Sequence, residues 1–132
     1  FTTAFSRRGL IAEHGVSWML PRLVGLSNAL DLLYSARVVE AEEAQRMGLV
    51  SRISPDDKLM EDVRDYTLEI VRMVSPRSTG IMKRQVYAAQ FQNLAEAVTD
   101  ANQEMLKSMD CEDFKEGVAH FLEKRAPDFT GC

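Results

Sequence analysis

The sequence predicts a mainly α-helical chain with two short β-strands. Three observations carry that expectation. Helix-start signals recur, first as Ser54-Pro55-Asp56-Asp57 and again as Ser75-Pro76. Apolar residues beyond them step at helical spacing. Only two segments, residues 1–5 and 49–53, carry the short apolar, β-branched or alternating pattern of a strand.

Taken in order, Phe-Thr-Thr-Ala-Phe at residues 1–5 reads as the end of a strand. Ser6-Arg7-Arg8-Gly9 follows as a turn, with Gly9 free to take a positive φ. A second loop containing Gly15 leads into Ser17-Trp18-Met19-Leu20. Pro21 has no N–H to give, so it suits a first helical turn or a kink. From Ser27 the pattern is helical, with Ala29, Leu30, Leu33 and Tyr34 on one face. Residues 36–40 form an extended connection. A short helix follows from Glu40 to Met47, and Gly48 stands where a left-handed cap belongs. Residues 49–53 alternate as the second strand.

The remainder is helical. Ser54 can cap, Pro55 fits the first helical position, and Asp56 and Asp57 suit the positive end of the dipole. Leu59, Val63, Tyr66, Ile70 and Met73 step by 4-3-4-3 along this helix. Ser75-Pro76 starts the next one, running to about Phe91. Leu94, Val98, Ala101, Met105 and Met109 step by 4-3-4-4. Asp110 is the expected cap of a last helix, with Phe114, Val118, Phe121 and Leu122 on its apolar face and Pro127 at its end. Such narrow stripes need partners, either within the chain, in other subunits or in another part of the same protein.

Composition narrows the class. The chain has 132 residues, 16 Lys plus Arg, 20 Asp plus Glu and a net charge of −4, with 45% hydrophobic and 27% charged residues. That is ordinary for a soluble globular protein. A chain of this length buries roughly 65–70% of its unfolded surface, enough for a core without staples. The mild acidity argues against nucleic acid as a partner. No apolar run nears the ~20 residues that span a bilayer, and a net charge of −4 without a basic stripe argues against a membrane surface as partner. Cys111 and Cys132 allow at most one bridge, and both are expected to be free thiols in a reducing, cytoplasmic setting. The first ten residues hold two arginines and no apolar signal-peptide core. The chain opens at Phe1 inside an apolar segment, a start expected of a piece of a longer enzyme. His14 and His120 lie 106 positions apart without a carboxylate pattern, so no metal site is expected.

Three stretches carry a family resemblance. Phe5-Ser6-Arg7-Arg8-Gly9-Leu10-Ile11-Ala12-Glu13-His14-Gly15-Val16-Ser17-Trp18-Met19-Leu20-Pro21-Arg22-Leu23-Val24-Gly25 resembles the middle of a crotonase-superfamily protein, the enoyl-CoA hydratase/isomerase family. Ala36-Arg37, Ala41-Glu42-Glu43-Ala44 and Met47-Gly48-Leu49-Val50 continue the pattern. Asp113-Phe114-Lys115-Glu116-Gly117-Val118, with Phe121 to Phe129, is similar to the family's C-terminal helix. The resemblance implies a crotonase-type (ClpP/crotonase) α/β fold, of which this chain is the C-terminal, mainly helical half. Residues 1–53 would end the core with its active-site loop. Residues 54–132 would form a helical trimerisation region. The implied ligand is an acyl-CoA thioester, which is substrate, with no separate cofactor. The implied assembly is a homotrimer, or a hexamer made of two trimers.

The implied chemistry has a plain physical need. The α-proton of a thioester is weakly acidic, so its removal requires two backbone N–H donors to hold the enolate oxygen. It also requires a carboxylate within hydrogen-bond reach. In the family both donors precede the segments matched here, so this chain taken alone is expected to lack the oxyanion hole and to be inactive. Glu13 lies at the position where isomerase-type members carry the glutamate that moves the proton. Without the resemblance it reads as a solvated loop carboxylate. Family hydratases place a Pro-Glu pair after the strand. Here Arg7 and Arg8 occupy that stretch, which weighs towards an isomerase or a divergent member.

Further roles are expected from position for His14 and Trp18, and from the same resemblance for Phe121 and Lys124. His14 would assist or orient Glu13, against the plainer reading of an exposed loop histidine. Trp18, with Met19, would wall the acyl pocket, or else serve packing. Phe121 would lie against the CoA adenine and Lys124 would face its phosphate as a point charge, with Arg125 the alternative partner. Their plainer readings are a packed ring and a solvated cation. His120 reads as a surface or packing residue. A second functional class stays open: a helical assembly module without activity.

Overall fold

The computed structural model describes residues 1–132. It contains helices α1 (Val16–Ser35), α2 (Ala41–Arg46), α3 (Leu59–Met73), α4 (Pro76–Ala88), α5 (Leu94–Met109) and α6 (Glu112–Glu123). Short 3-10 turns span Ser6–Arg8 and Ala89–Phe91. Two compact units result, Phe1–Leu59 and Met60–Cys132.

Neither expected strand forms. A strand needs a neighbouring strand to complete its ladder. Residues 1–5 instead run beside the end of α1. Phe1 and Val39 exchange two backbone hydrogen bonds, of 2.6 and 2.8 Å. The hydroxyls of Thr2 and Thr3 donate to the carbonyls of Ala36 and Leu32, at 3.1 and 2.8 Å. The Leu49 and Val50 N–H groups both turn onto the Ala44 carbonyl. They close α2 rather than join a sheet.

The first unit owes its core to α1. Leu20, Val24, Ala29 and Leu32 bury against Val39 and Ala44, the last two fully enclosed. The helix opens at Val16, well before Ser27, because Trp18 and Met19 both donate to the Gly15 carbonyl at 3.0 Å. Pro21 lies within it, and the break falls later, at Gly25 (φ 77°, ψ 162°). That backbone region is open almost only to glycine. The α2 terminus matches the sequence expectation. Gly48 is left-handed (φ 81°), and the Leu49 N–H reaches back to Ala44 at 2.8 Å. A Cβ at Gly48 would stand 3.2 Å from the Leu23 carbonyl oxygen.

Caps organise the second unit. Ser75 caps α4 as expected, accepting from the Ser78 N–H at 3.0 Å with Pro76 at the first position. The identical signal at Ser54-Pro55 behaves differently. Lys58 donates to the Pro55 carbonyl at 2.9 Å, forming a turn, and α3 opens only at Leu59. A reciprocal pair of 3.0 Å bonds between Asn93 and Glu96 opens α5. Cys111, not Asp110, caps α6, its Sγ accepting from the Phe114 N–H at 3.3 Å. Asp110 closes α5 instead. Lys124 takes a left-handed conformation (φ 55°) and stops α6 before Pro127 is reached.

Burial in the second unit is polar. Its only buried residues are Ser75 and Asp113. The stripes read from the sequence stay open: Leu59, Val63, Tyr66 and Met73 on α3 are exposed, as are Leu94, Val98, Met105 and Met109 on α5. No helix is long and apolar enough to cross a membrane.

Candidate active site

The loop before α1 is built from tight turns. Arg8 and Leu10 both donate to the Phe5 carbonyl, at 2.9 and 3.0 Å. Arg7 and Ser6 fasten this turn to the end of α1, bonding the Ser35 and Tyr34 carbonyls at 3.0 Å each. Arg7 therefore serves the loop's anchorage. The chain then passes through His14 (φ 54°) and Gly15 (φ 78°), two consecutive left-handed residues, and enters the helix. Histidine is one of the few side chains found there with some frequency.

Glu13 stands two residues before the helix cap. Its carbonyl accepts from the Val16 N–H at 3.0 Å. Its side chain is 39% exposed, and Oε2 lies 3.5 Å from His14 Nε2. No other ionic group lies within ion-pair distance of it. It is also the only carboxylate in residues 1–15. This loop thus offers one carboxylate as a proton acceptor, with the His14 imidazole beside it. Trp18 occupies the first turn of α1, half-buried. The Arg22 guanidinium covers one face of its ring at 3.7 Å and donates to the Trp18 carbonyl at 2.8 Å. The structure places Glu13 and Trp18 in the first compact unit, Phe121 and Lys124 in the second.

Phe121 lies on α6 and is 76% exposed. Lys124 follows at the helix cap, exposed, its N–H bonded to the His120 carbonyl and its ammonium in no ion pair. Arg125 is engaged. It forms a two-pronged bridge to Glu116 and a further pair to Glu123 at 2.6 Å. The Arg125 guanidinium, helped by the Asp128 N–H, holds the Glu116 carboxyl down at about 2. Lys124 is thus the cation left open to an anion. His120 packs edge-on against Phe129, with ring centroids 5.8 Å apart. No group of three or more His, Cys, Asp or Glu residues is arranged to hold a metal ion.

Two polar clusters were not singled out from the sequence. Arg37 bridges Glu43 with two bonds of 3.0 and 2.7 Å and Asp31 with one of 2.9 Å. These bonds raise the Arg37 pKa and lower that of Glu43. Ala36 beside it is buried and left-handed (φ 44°), ending α1. The Ala36-Arg37 and Ala41-Glu42-Glu43-Ala44 motifs therefore fasten α2 to α1. The acids six residues either side of Arg37 were the available signal. The second cluster centres on Asp113. It accepts from the Ser75 hydroxyl at 2.5 Å and from the Thr130 and Gly131 N–H groups at 3.0 Å. Burial opposes its charge, but the Ser75, Gly131 and Thr130 bonds prevail and lower its pKa. No local pattern announces this, because its partners lie 17, 18 and 38 residues away.

The chain belongs to the enoyl-CoA hydratase/isomerase family, whose model matches residues 1–132. Among relatives, it is 35% identical to a probable enoyl-CoA hydratase of Rhodobacter capsulatus, over 99% of this chain and 51% of that protein. It is 30% identical to the 1,2-epoxyphenylacetyl-CoA isomerase of Escherichia coli, over 99% and 50%. A crystal structure of a probable enoyl-CoA hydratase/isomerase from Mycobacterium abscessus superposes with a TM-score of 0.94 at 28% identity, covering 99% of this chain and 53% of that one. The crotonase fold is thereby supported. The chain spans about half the length of the curated relatives it matches.

Proposed function

We propose that the protein carrying this chain shifts a proton α to the carbonyl of an acyl-CoA thioester, with Glu13 as the base. The observation that carries this reading is the single Glu13 carboxylate in the loop ahead of α1, within a chain matched along its length by the family. The α-C–H bond breaks and its proton passes to a Glu13 oxygen. In a β,γ-unsaturated (3-enoyl) thioester the electron pair moves into a dienolate that spans the carbonyl oxygen and the γ-carbon. Two backbone N–H donors elsewhere in the protein hold the enolate oxygen. Glu13 then returns the proton at the γ-carbon, and the double bond shifts by one position. Arg7 and Arg8, standing where family hydratases place a Pro-Glu pair, favour isomerisation over simple hydration.

Trp18 would line the acyl chain. Phe121 would stack on the adenine and Lys124 would meet a phosphate, both on the last helix of a neighbouring subunit. Acyl-CoA is the substrate in this reading, and no separate cofactor takes part. The assembly proposed is a homotrimer, or a hexamer of two trimers, working in the cytoplasm without nucleic acid or membrane. The open apolar stripes of α3 and α5 support association. They equally favour the second reading, a helical assembly module without activity.

The test is turnover of 3-enoyl-CoA and 2-enoyl-CoA by the whole protein, with products identified by NMR. Glu13→Gln is expected to lower kcat by about 10²–10⁴-fold, the usual contribution of a general base, with the circular dichroism unchanged. Turnover equal to wild type would remove Glu13 from the mechanism. Absence of any CoA-thioester binding by the wild-type protein would leave the assembly module.

A further inference from the structure

Cys111 and Cys132 are the two cysteines of the chain, and both are free thiols. Folding brings them to the same end of one helix. Cys111 caps α6, its Sγ accepting from the Phe114 N–H at 3.3 Å. The preceding N–H, that of Asp113, donates to the Cys132 carbonyl at 2.9 Å. Two consecutive N–H groups of one helical turn thus hold the sulfur of one cysteine and the backbone of the other. Thr130 and Gly131 also donate to the Asp113 carboxylate, at 3.0 Å each. Gly131 is left-handed (φ 85°), and a Cβ there would stand 3.3 Å from Pro76 Cγ. Three successive residues are therefore pinned at the cap. Cys132 is exposed and Cys111 half-buried, so an oxidant in solution meets Cys132 first.

We infer that Cys111 and Cys132 are a reversible redox pair: a peroxide joins them in a disulfide that locks residues 130–132 onto the start of α6. Their anchor points are neighbours on one turn, so rotation of the exposed Cys132 side chain, with a small shift of its backbone, brings the sulfurs to disulfide geometry. The Cys132 thiolate attacks one oxygen of hydrogen peroxide. The O–O bond breaks, Cys132 becomes a sulfenic acid, and the other oxygen leaves as water after protonation. The Cys111 thiolate then attacks the Cys132 sulfur. The S–S bond forms, the S–O bond breaks, and a second water leaves. The two thiols lose two electrons and the peroxide gains them. A small thiol such as glutathione restores both cysteines by exchange and is itself oxidised. In the reduced state the segment is held by hydrogen bonds that all converge on Asp113. Oxidation adds a covalent tie. The pair lies within the second compact unit and does not depend on the reading of Glu13.

The test treats the reduced whole protein with hydrogen peroxide, blocks remaining thiols with iodoacetamide, and digests with trypsin without reduction. Cleavage after Lys107, Lys115 and Arg125 puts the two cysteines on separate peptides. The expected product is peptide 108–115 joined to the peptide that begins at Ala126, lighter than their sum by two hydrogens. Dithiothreitol should separate them. On a non-reducing denaturing gel the subunit should keep its mass. Exchange of the Thr130 and Gly131 amide hydrogens should slow by about tenfold or more in the oxidised form. Cys111→Ser is the control, because serine also caps a helix and the fold survives. There the joined peptide should vanish and Cys132 should pass on to the sulfinic acid. Full alkylation of both cysteines after peroxide overturns the pair, as does a bond from Cys132 to a second copy of the chain. Unchanged amide exchange in the joined form overturns the lock.

Discussion

Asp113 is the one enclosed carboxylate of the chain, and three partners converge on it. The Ser75 hydroxyl it binds also caps α4, and the Thr130 and Gly131 N–H groups belong to the C-terminal tail. Removing the carboxylate leaves those donors without a partner in a buried place. Asp113→Ala is therefore expected to cost about 2–4 kcal/mol, read as a lower midpoint in urea unfolding. Glu116 makes the complementary prediction in pH. Its folded value of about 2 lies below the ordinary 4.5. The stabilisation is complete above the ordinary value and is lost as pH falls from about 4.5 towards about 2, where the unfolded chain protonates first. Asp113, also lowered, adds to the same acid window. The thermal midpoint should fall through this range, less steeply in Glu116→Gln. Identical slopes for the two proteins would contradict the assignment.

Among helices and turns, the ends carry the specificity. Ser54-Pro55 and Ser75-Pro76 are the same signal, and only the second starts a helix at its proline. The difference is that Ser75 is buried and bonded to Asp113, whereas Pro55 closes a turn with Lys58. Capping at α5 rests on the Asn93–Glu96 reciprocal pair, and Asn93→Ala should cost about 1 kcal/mol. Gly48 is more sensitive. Its φ of 81°, and a Leu23 carbonyl oxygen only 3.2 Å from the place an alanine Cβ would take, leave no room for that residue without a shift. Gly48→Ala should lower the thermal midpoint by several degrees, since about 1 kcal/mol moves a domain of this size by roughly that amount. An unchanged midpoint would mean that the α2 terminus relaxes freely.

At the largest scale the two compact units differ in kind. Phe1–Leu59 encloses an aliphatic core, while Met60–Cys132 encloses only Ser75 and Asp113. Amphipathic helices with open apolar stripes gain stability when those stripes are covered. Under the proposed trimer, Val98→Asp and Met105→Asp on α5 should lower the mass seen by sedimentation velocity while the helical circular dichroism is retained. An unaltered mass would place the subunit contact elsewhere.

Helix number, most helix positions and the family were legible along the chain, because 3.6-residue periodicity, glycine and proline at helix ends, and short motifs are local properties. Glu13, Phe121 and Lys124 are candidates by family resemblance and Trp18 by its place after the loop, and the surroundings of all four were not legible. Pairing over distance settled the rest. Residues 1–5 and 49–53 have strand-like composition, yet their hydrogen bonds go to Val39, Ala36, Leu32 and Ala44. The Gly25 break, the Arg37 bridges and the Asp113 node depend on which groups meet after folding. Periodicity states which face of a helix is apolar; only packing states whether anything lies against it.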